Sequence, residues 1–146
     1  VEQMPNPELA SDIDQNGRPD GYLGCPYAPA EVKSPGRGRV AEFSSGTTTW
    51  IYGPETGPTE LTLTARSADG ASRTITPIVT FAEIGAGYEY RWQAAERCDS
   101  MTVGPAWKTA SFPVVVSKEV DRVKIEFEVA PAGKVHVEKL RWRLAQ

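Results

Sequence analysis

The sequence predicts an all-β domain, a sandwich or barrel of antiparallel strands, and three observations carry this prediction. Short runs alternate apolar and polar residues, Gly, Pro, Asp and Ser separate these runs at regular intervals, and no window of helical length shows a convincing 3.6-residue apolar stripe. The segment AGYEYRWQAAERC is the nearest to a helix, but its aromatic β-formers favour a strand. Regularly spaced short strands with turns are typical of sandwiches and barrels.

Two pairs of alternating segments predict β-hairpins. In ELTLTARSADGASRTITPIVTF, alternating runs flank a turn at Asp69–Gly70. In DRVKIEFEVAPAGKVHVEKLRWRL, the segment APAG supplies the turn. The last run changes phase after Val137, and we expect a β-bulge near Glu138–Lys139 to keep its apolar residues on the buried face.

The rest of the chain adds three strand candidates, TTTWIYG, GYEYRWQ and TASFPVVVS. Nothing marks a linker, an internal repeat or a low-complexity tract. With 146 residues the chain is long enough to bury a core of its own. Residues 1–146 are therefore predicted to form a single domain.

Composition and charge exclude several function classes. The chain has 40% hydrophobic residues and 24% charged residues, which is typical of a soluble globular domain. No segment approaches the roughly 20 apolar residues of a membrane helix. The net charge is −3, with Lys and Arg scattered, which argues against a nucleic-acid surface. We expect a monomer that binds neither nucleic acid nor membrane.

The sequence also argues against an enzyme. It has no Ser/His/Asp signature, no HExxH or GxSxG motif, and a single histidine, His136, which we expect on the surface of a strand. Glu126 and Glu128 could be imagined as the carboxylate pair of a hydrolase. However, any alternating strand places residues i and i+2 on one face.

The two cysteines, Cys25 and Cys98, lie far apart without a metal-binding spacing. A disulfide between them would indicate an oxidising compartment and would stabilise the fold by roughly 4 kcal/mol in the chain-entropy model. The alternative is two reduced, buried cysteines, and the sequence leaves both alternatives open.

The segment SDIDQNGRPDG places oxygen ligands in alternation and therefore predicts a structural calcium site. Gly17 stands where an EF-hand loop turns sharply, but Leu23 replaces its last Glu, so an EF-hand is excluded. The simpler interpretation is that Asp, Asn and Gly are common turn residues. The predicted ligands in this segment are Asp12, Asp14, Asn16, the carbonyl of Arg18, and Asp20.

Two ends of the chain together resemble a family. The segments NPELASDIDQNGRPDGY and PAWKTASFPVVVSKEVDRVKIEFEVAPAGKVHVEKLRWRL are similar to the opening and closing patterns of jelly-roll carbohydrate-binding modules of families four, nine, sixteen and twenty-two. The resemblance runs from Asn6 to Leu144. It implies a jelly-roll β-sandwich of two antiparallel sheets that binds a polysaccharide or oligosaccharide without catalysis. It also implies a secreted or cell-surface parent protein with covalently linked catalytic or surface domains.

The chain departs from the family pattern at its expected calcium ligands. Ala10 stands where the opening motif usually has Glu, and Glu138 and Lys139 stand where two acidic residues are usual. Glu138 retains a carboxylate and is the last candidate ligand. The calcium site has therefore moved into the loop from Asp12 to Asp20, or the family's site is lost.

Sugar recognition uses aromatic rings that stack on pyranose faces, beside polar groups that bond the hydroxyls. Aromatic residues alternate with other residues in TTTWIYG and in GYEYRWQ, where Tyr88 precedes two further rings. Either aromatic side could line a cleft or belong to the core. The resemblance to carbohydrate-binding modules places Trp107 in the core. Trp142 is also predicted to lie in the core, because it is in phase with Leu140 and Leu144. The candidate ligand-binding residues are Trp50, Tyr52, Arg66, Tyr90, Trp92 and Glu126.

The aromatic rows leave two functions open. An exposed aromatic row on the concave face would favour sugar binding. A polar, Thr-rich and flat concave face would favour a structural or protein-interaction sandwich of a multidomain extracellular protein, without sugar affinity.

Overall fold

Two antiparallel β-sheets make up all the regular structure in the computed structural model, which describes residues 2–9, 15, 17–29, 32 and 39–145. The larger sheet contains β1 (Tyr22–Leu23), β3 (Thr48–Tyr52), β5 (Arg73–Ile84), β6 (Tyr90–Trp92), β7 (Glu96–Arg97), β8 (Met101–Val103) and β10 (Arg122–Ala130). The smaller sheet contains β2 (Ala41–Phe43), β4 (Gly57–Ser67), β9 (Lys108–Val116) and β11 (Val135–Leu144). Within these residues, no helix is long and apolar enough to span a membrane.

The order of the strands confirms the predicted fold class. The larger sheet runs β1-β3-β10-β5, and the short strands β6, β7 and β8 pair in turn along the far edge of β5. The smaller sheet runs β2-β11-β4-β9. From β1 to β5 and from β8 to β11, strands that are neighbours in sequence alternate between the sheets, as in a jelly-roll sandwich.

The core lies between the two sheets, as the alternating pattern predicts. On β10 the odd-numbered apolar residues, from Val123 to Val129, are buried, and the residues between them face outwards. The other sheet contributes its own apolar rows, of which Trp142 is fully buried. Tyr22, Phe43 and Phe127 join the layers through ring contacts with centroid separations of 5.9 and 5.1 Å.

Both predicted hairpins are wrong. β4 and β5 belong to different sheets, and so do β10 and β11. The turn at Asp69–Gly70 and the turn between Ala130 and Val135 therefore cross the sandwich from one layer to the other. Alternation and turn residues are the same in a hairpin and in a crossing, since both need two half-buried strands and a reversal of the chain.

The buried Arg73 holds these two crossing turns together. Its guanidinium donates hydrogen bonds to the carbonyl oxygens of Pro131 at 3.0 Å and Ala132 at 2.9 Å, and to Oδ2 of Asp69 at 2.7 Å. The backbone N–H of Ala71, followed by the hydroxyl of Ser67 and by Arg73, lowers the pKa of Asp69. Arg73 thus links the two crossing turns at this end of the sandwich.

The predicted bulge in the last strand is confirmed. The register of β11 against β4 shifts between Val137 and Lys139, and the apolar residues on both sides of the shift are buried. The N-terminal segment runs beside this strand, since the N–H of Leu140 donates to the carbonyl of Pro7 at 3.1 Å. Leu9 ends that segment fully buried.

Of the two alternatives for the cysteines, the structure shows free thiols. Cys25 is buried and Cys98 is half-buried against the core. Burial raises the pKa of Cys25 to about 12 and that of Cys98 to about 11, so little reactive thiolate forms near neutral pH.

Candidate functional site

The first half of the candidate site is the outward side of β3. Ile51 points into the core, where it is 1% exposed, while the residues before and after it point outwards. Trp50 is half-buried and Tyr52 is 64% exposed. This confirms the alternation predicted for TTTWIYG, because a strand places successive side chains on opposite faces.

The second half is β6, which lies beyond β10 and β5 on the same sheet. Tyr90 and Trp92 are 38% and 42% exposed, and their rings stack with centroids 5.8 Å apart and planes at 29°. Tyr88 does not join them as a strand residue, since it lies in the turn before β6 with a φ of 62° and is 89% exposed.

Small side chains on β5 separate the two aromatic pairs. Trp92 pairs with Ala82, which pairs on its other side with Arg122, and Arg122 pairs with Tyr52. One row across the sheet therefore places rings at both ends and a methyl group beside the arginine. We call Trp50, Tyr52, Tyr90 and Trp92 the aromatic cluster.

Arg122 occupies the centre of the aromatic cluster. Its guanidinium carbon lies 5.1 Å from the ring centroid of Trp50, 5.0 Å from Tyr52, 4.9 Å from Tyr90 and 5.8 Å from Trp92. These separations are within the range of cation–π attraction. Its Nε atom is buried and has no hydrogen-bond partner among the described residues.

The polar side chains of β10 extend this face away from the aromatic cluster. Nζ of Lys124 lies 5.3 Å from the ring centroid of Trp92. Glu126 is the next outward residue and, in the described part of the chain, makes no ion pair. Glu128 accepts two hydrogen bonds from Arg97, at 2.9 and 3.0 Å, and these bonds lower its pKa.

Arg66 does not join this face, because β4 belongs to the smaller sheet. Its guanidinium carbon lies 5.0 Å from the ring centroid of Trp107, and its Nε donates to Nδ1 of His136 at 3.4 Å. Trp107 is therefore half-buried under an arginine on the outer side of the smaller sheet, and its assignment to the core is wrong.

The expectation for His136 is also wrong. It faces the outer side of the smaller sheet but is only 5% exposed, because Arg66 and Glu42 cover it. Burial, followed by the charge of Arg66, lowers the pKa of His136 against the opposing effect of Glu42. The ring is thus neutral near pH 7.

Half of the predicted calcium ligands lie outside the described residues, namely Asp12, Asp14 and Asn16. Gly17 has a φ of +82°, which fits a sharp turn, and the carbonyl of the half-buried Asp20 accepts a hydrogen bond from Asn6 at 3.2 Å. Arg18 is exposed, and Glu138 is 5% exposed at the bulge. Among described residues, no three His, Cys, Asp or Glu side chains form a group that could hold a metal ion.

Sequence reasoning missed the central position of Arg122. Its alternation with Val123 indicates an outward side chain, which is the only signal the sequence offers. Its place among four rings depends on β3 and β6 flanking β10 and β5, and strand order is not visible in one sequence.

Comparison with known proteins gives a fold and no sequence family. No protein-family profile matches the chain, and no curated protein sequence matches it. Among solved structures, the CBM22-1 xylan-binding domain from Paenibacillus barcinonensis Xyn10C has a TM-score of 0.61 and 12% identity, over 96% of this chain and 92% of that one. The chain has the β-sandwich fold of family 22 carbohydrate-binding modules.

Two larger proteins contain the same fold as one part. The CBM22-1–GH10 modules of Clostridium thermocellum endo-1,4-beta-D-xylanase 10B, complexed with xylohexaose, have a TM-score of 0.67 and 9% identity. The enzymatically active domain of bacteriophage CBA120 tailspike protein 4 has a TM-score of 0.61 and 14% identity. This chain, covered at 100% and 99%, spans 28% of the xylanase chain and 22% of the tailspike chain.

Proposed function

We propose that the domain is a non-catalytic carbohydrate-binding module, and the observation that carries this proposal is the aromatic cluster. Rigid rings present apolar area to the C–H faces of sugars at a low cost in conformational entropy. Trp50 and Tyr52 on one side of Ala82, with Tyr90 and Trp92 on the other, give a chain of sugars two places to stack. An aromatic residue on a strand is usually buried in the core. These four rings instead lie on the outer face of the larger sheet.

The comparisons support a xylan-type polysaccharide as the ligand. One structure of this fold is named a xylan-binding domain, and another was solved with xylohexaose in a chain that also carries a GH10 module. By analogy, this domain would hold a larger secreted or cell-surface polysaccharide-active protein on its substrate. At 9–12% identity this analogy supports the proposal through the fold alone.

The smaller sheet has the Thr-rich surface expected of the rival function, a structural sandwich without sugar affinity. There the hydroxyls of Thr62 and Ser111 are 3.0 Å apart, and those of Thr64 and Thr109 are 2.9 Å apart. These side chains satisfy one another, and the Trp107 ring on this side is half-buried under Arg66. We therefore place the glycan on the larger sheet.

Affinity electrophoresis in gels containing xylan, followed by calorimetry with xylohexaose, tests the proposal. The parent domain should be retarded, and Trp50→Ala and Trp92→Ala should each weaken binding by about tenfold or more, since a stacking ring is worth at least about 1.4 kcal/mol. Tyr88→Ala is the matched control, because it removes an exposed ring outside the aromatic cluster. Unchanged binding by both Trp variants, or no retardation of the parent by any glycan, would contradict the proposal.

We also propose that a structural Ca²⁺ ion binds near the N-terminal loop. The alternating oxygen ligands, the positive φ of Gly17 and the buried carboxylate of Glu138 support it. Asp12 and Asp14 supply the first two carboxylates of the alternating set, so the proposed site includes them.

Thermal melts in EDTA and in millimolar CaCl₂ test this calcium site. Binding to the folded state alone adds about 2.7 kcal/mol at a hundredfold excess over Kd. Asp14→Asn should abolish the calcium-dependent shift if the loop holds the ion, and Glu138→Gln should abolish it if the bulge contributes. Identical melts, with no metal found by elemental analysis, would refute the proposal.

A further inference from the structure

Building on the proposed function, we infer that the ligand is an acidic polysaccharide, and that Arg122 binds the carboxylate of a uronic acid residue. Lys124 lies beside it on the same face and contributes the second positive charge. The inference rests on the position of Arg122, on the pairing of the other charges of this face, and on the order of charges along β10.

Arg122 is held in place by groups that do not neutralise it. The four rings of the aromatic cluster lie about it at 4.9–5.8 Å from the guanidinium carbon. Aromatic rings attract a cation through their quadrupoles, which carry no net charge, so the full positive charge of the guanidinium remains. Arg122 is thus oriented in advance and still able to attract an anion.

Another cation in the described part of this face is already paired with a carboxylate. Arg97 makes a two-bond pair with Glu128. In the described part of the chain, neither Arg122 nor Lys124 makes an ion pair, and the buried Nε of Arg122 lacks a hydrogen-bond partner. The planar guanidinium can donate two parallel hydrogen bonds to one carboxylate. A neutral sugar, by contrast, would remove water from the positive charge without supplying a negative charge to compensate.

The order of charges along β10 also indicates where the acidic sugar sits. Arg122 and Lys124 lie at the end that carries the aromatic cluster, and Glu126 follows as the next outward residue. A carboxylate beside Glu126 would be repelled, so the uronic acid belongs at the aromatic end. Neutral sugars of the same chain would extend towards Glu126, whose oxygens accept hydrogen bonds from hydroxyls.

Two polymers that differ only in the carboxylate test the inference, namely glucuronoxylan and the same preparation after carboxyl reduction. The native polymer should bind about tenfold or more tightly, as expected for one charge-assisted pair. The difference should shrink as salt rises from about 0.1 M to about 1 M, where the screening length falls from about 10 Å to about 3 Å. Xylohexaose serves as the neutral reference ligand.

Charge-removing variants identify the residues responsible. Arg122→Gln and Lys124→Gln should each reduce the preference for the native polymer, and Arg122→Lys should retain part of it because it keeps the charge without the fork. Arg91→Gln is the matched control. It removes the same charge from β6, but from a side chain paired with Glu89 at 3.3 Å. Thermal melts of every variant establish that it is folded.

The outcomes separate this inference from the proposed function. Equal binding of both polymers at low salt, with binding retained, overturns the inference and leaves the carbohydrate-binding function standing. An equal loss of both polymers in a folded Arg122→Gln variant, with Lys124→Gln unchanged, also overturns it, because Arg122 would then only hold the rings in place. No binding of either polymer or of xylohexaose refutes the proposed function itself.

Discussion

Replacing Trp142 by alanine and, separately, Trp50 by alanine should have opposite effects on stability and on binding. Trp142 is 0% exposed on β11, and Trp50 is half-buried on the outer side of β3. A buried Trp removes about 150–250 Å² from water, which at about 25 cal/mol per Å² corresponds to about 4–6 kcal/mol. Measured costs for Trp→Ala in a core are about 3–5 kcal/mol.

Trp50→Ala should cost about 1 kcal/mol or less, the value of a partly exposed ring contact such as the one with Arg122. In a domain of this size, each kcal/mol lowers Tm by about 2–4 °C, so Trp142→Ala should melt on the order of 10 °C below the parent. Urea unfolding followed by circular dichroism gives the two free energies. Xylohexaose calorimetry should then show weakened binding only for Trp50→Ala, provided that Trp142→Ala is studied below its melting temperature.

Two results would refute this reasoning. A Trp142→Ala variant as stable as the parent would contradict the burial of β11 against the opposite sheet. A Trp50→Ala variant that is destabilised by as much as Trp142→Ala would assign Trp50 to the core and would move the site towards Tyr90 and Trp92.

Three further predictions concern the remaining buried polar groups and the thiols. Gly133→Ala should destabilise the domain, because the added carbon would lie 2.2 Å from the guanidinium carbon of Arg73. In an Arg73→Ala background, urea melts should show that Gly133→Ala lowers the free energy of unfolding by much less. Cys25 and Cys98 should resist thiol reagents in the folded domain and both react on unfolding without reductant, whereas protection in the unfolded state would demonstrate a disulfide. Burial keeps the folded-state pKa of His136 below its usual value of 6.5, so its contribution to stability is fully present above about pH 6.5 and is lost as pH falls through the folded-state pKa. His136→Gln should therefore flatten the loss of stability below about pH 6.5, and an unchanged slope would contradict its burial.

The sequence predicts well what depends on a single strand. The alternating pattern correctly predicts that Trp50 and Tyr52 face away from Ile51, because every second residue of a strand lies on the same face. The change of phase near Glu138 identified the bulge for the same reason. These predictions need no knowledge of neighbouring strands.

The sequence does not predict which strands are neighbours. For this reason the sequence predicts the two crossings of the sandwich as hairpins, and it groups Arg66 with Glu126 in one candidate site although β4 lies in the other sheet. The same limit explains the wrong expectation for His136. Its side chain does point outwards, but Glu42 of β2 and Arg66 of β4 bury it, and the sequence does not show that these strands flank β11. The central place of Arg122 likewise follows from sheet order and not from local pattern.

The four tryptophans provide the most direct test of the claim that the outer face of the larger sheet binds glycans. Each gives one indole N–H signal in a ¹⁵N-edited NMR spectrum, and the four lie in three different environments of the structure. Titration with xylohexaose, or with an acidic xylo-oligosaccharide, should shift the signals of Trp50 and Trp92 and leave those of Trp107, on the smaller sheet, and Trp142, in the core, in place. Shifts confined to Trp107, or no shift of any indole at millimolar ligand, would contradict the account.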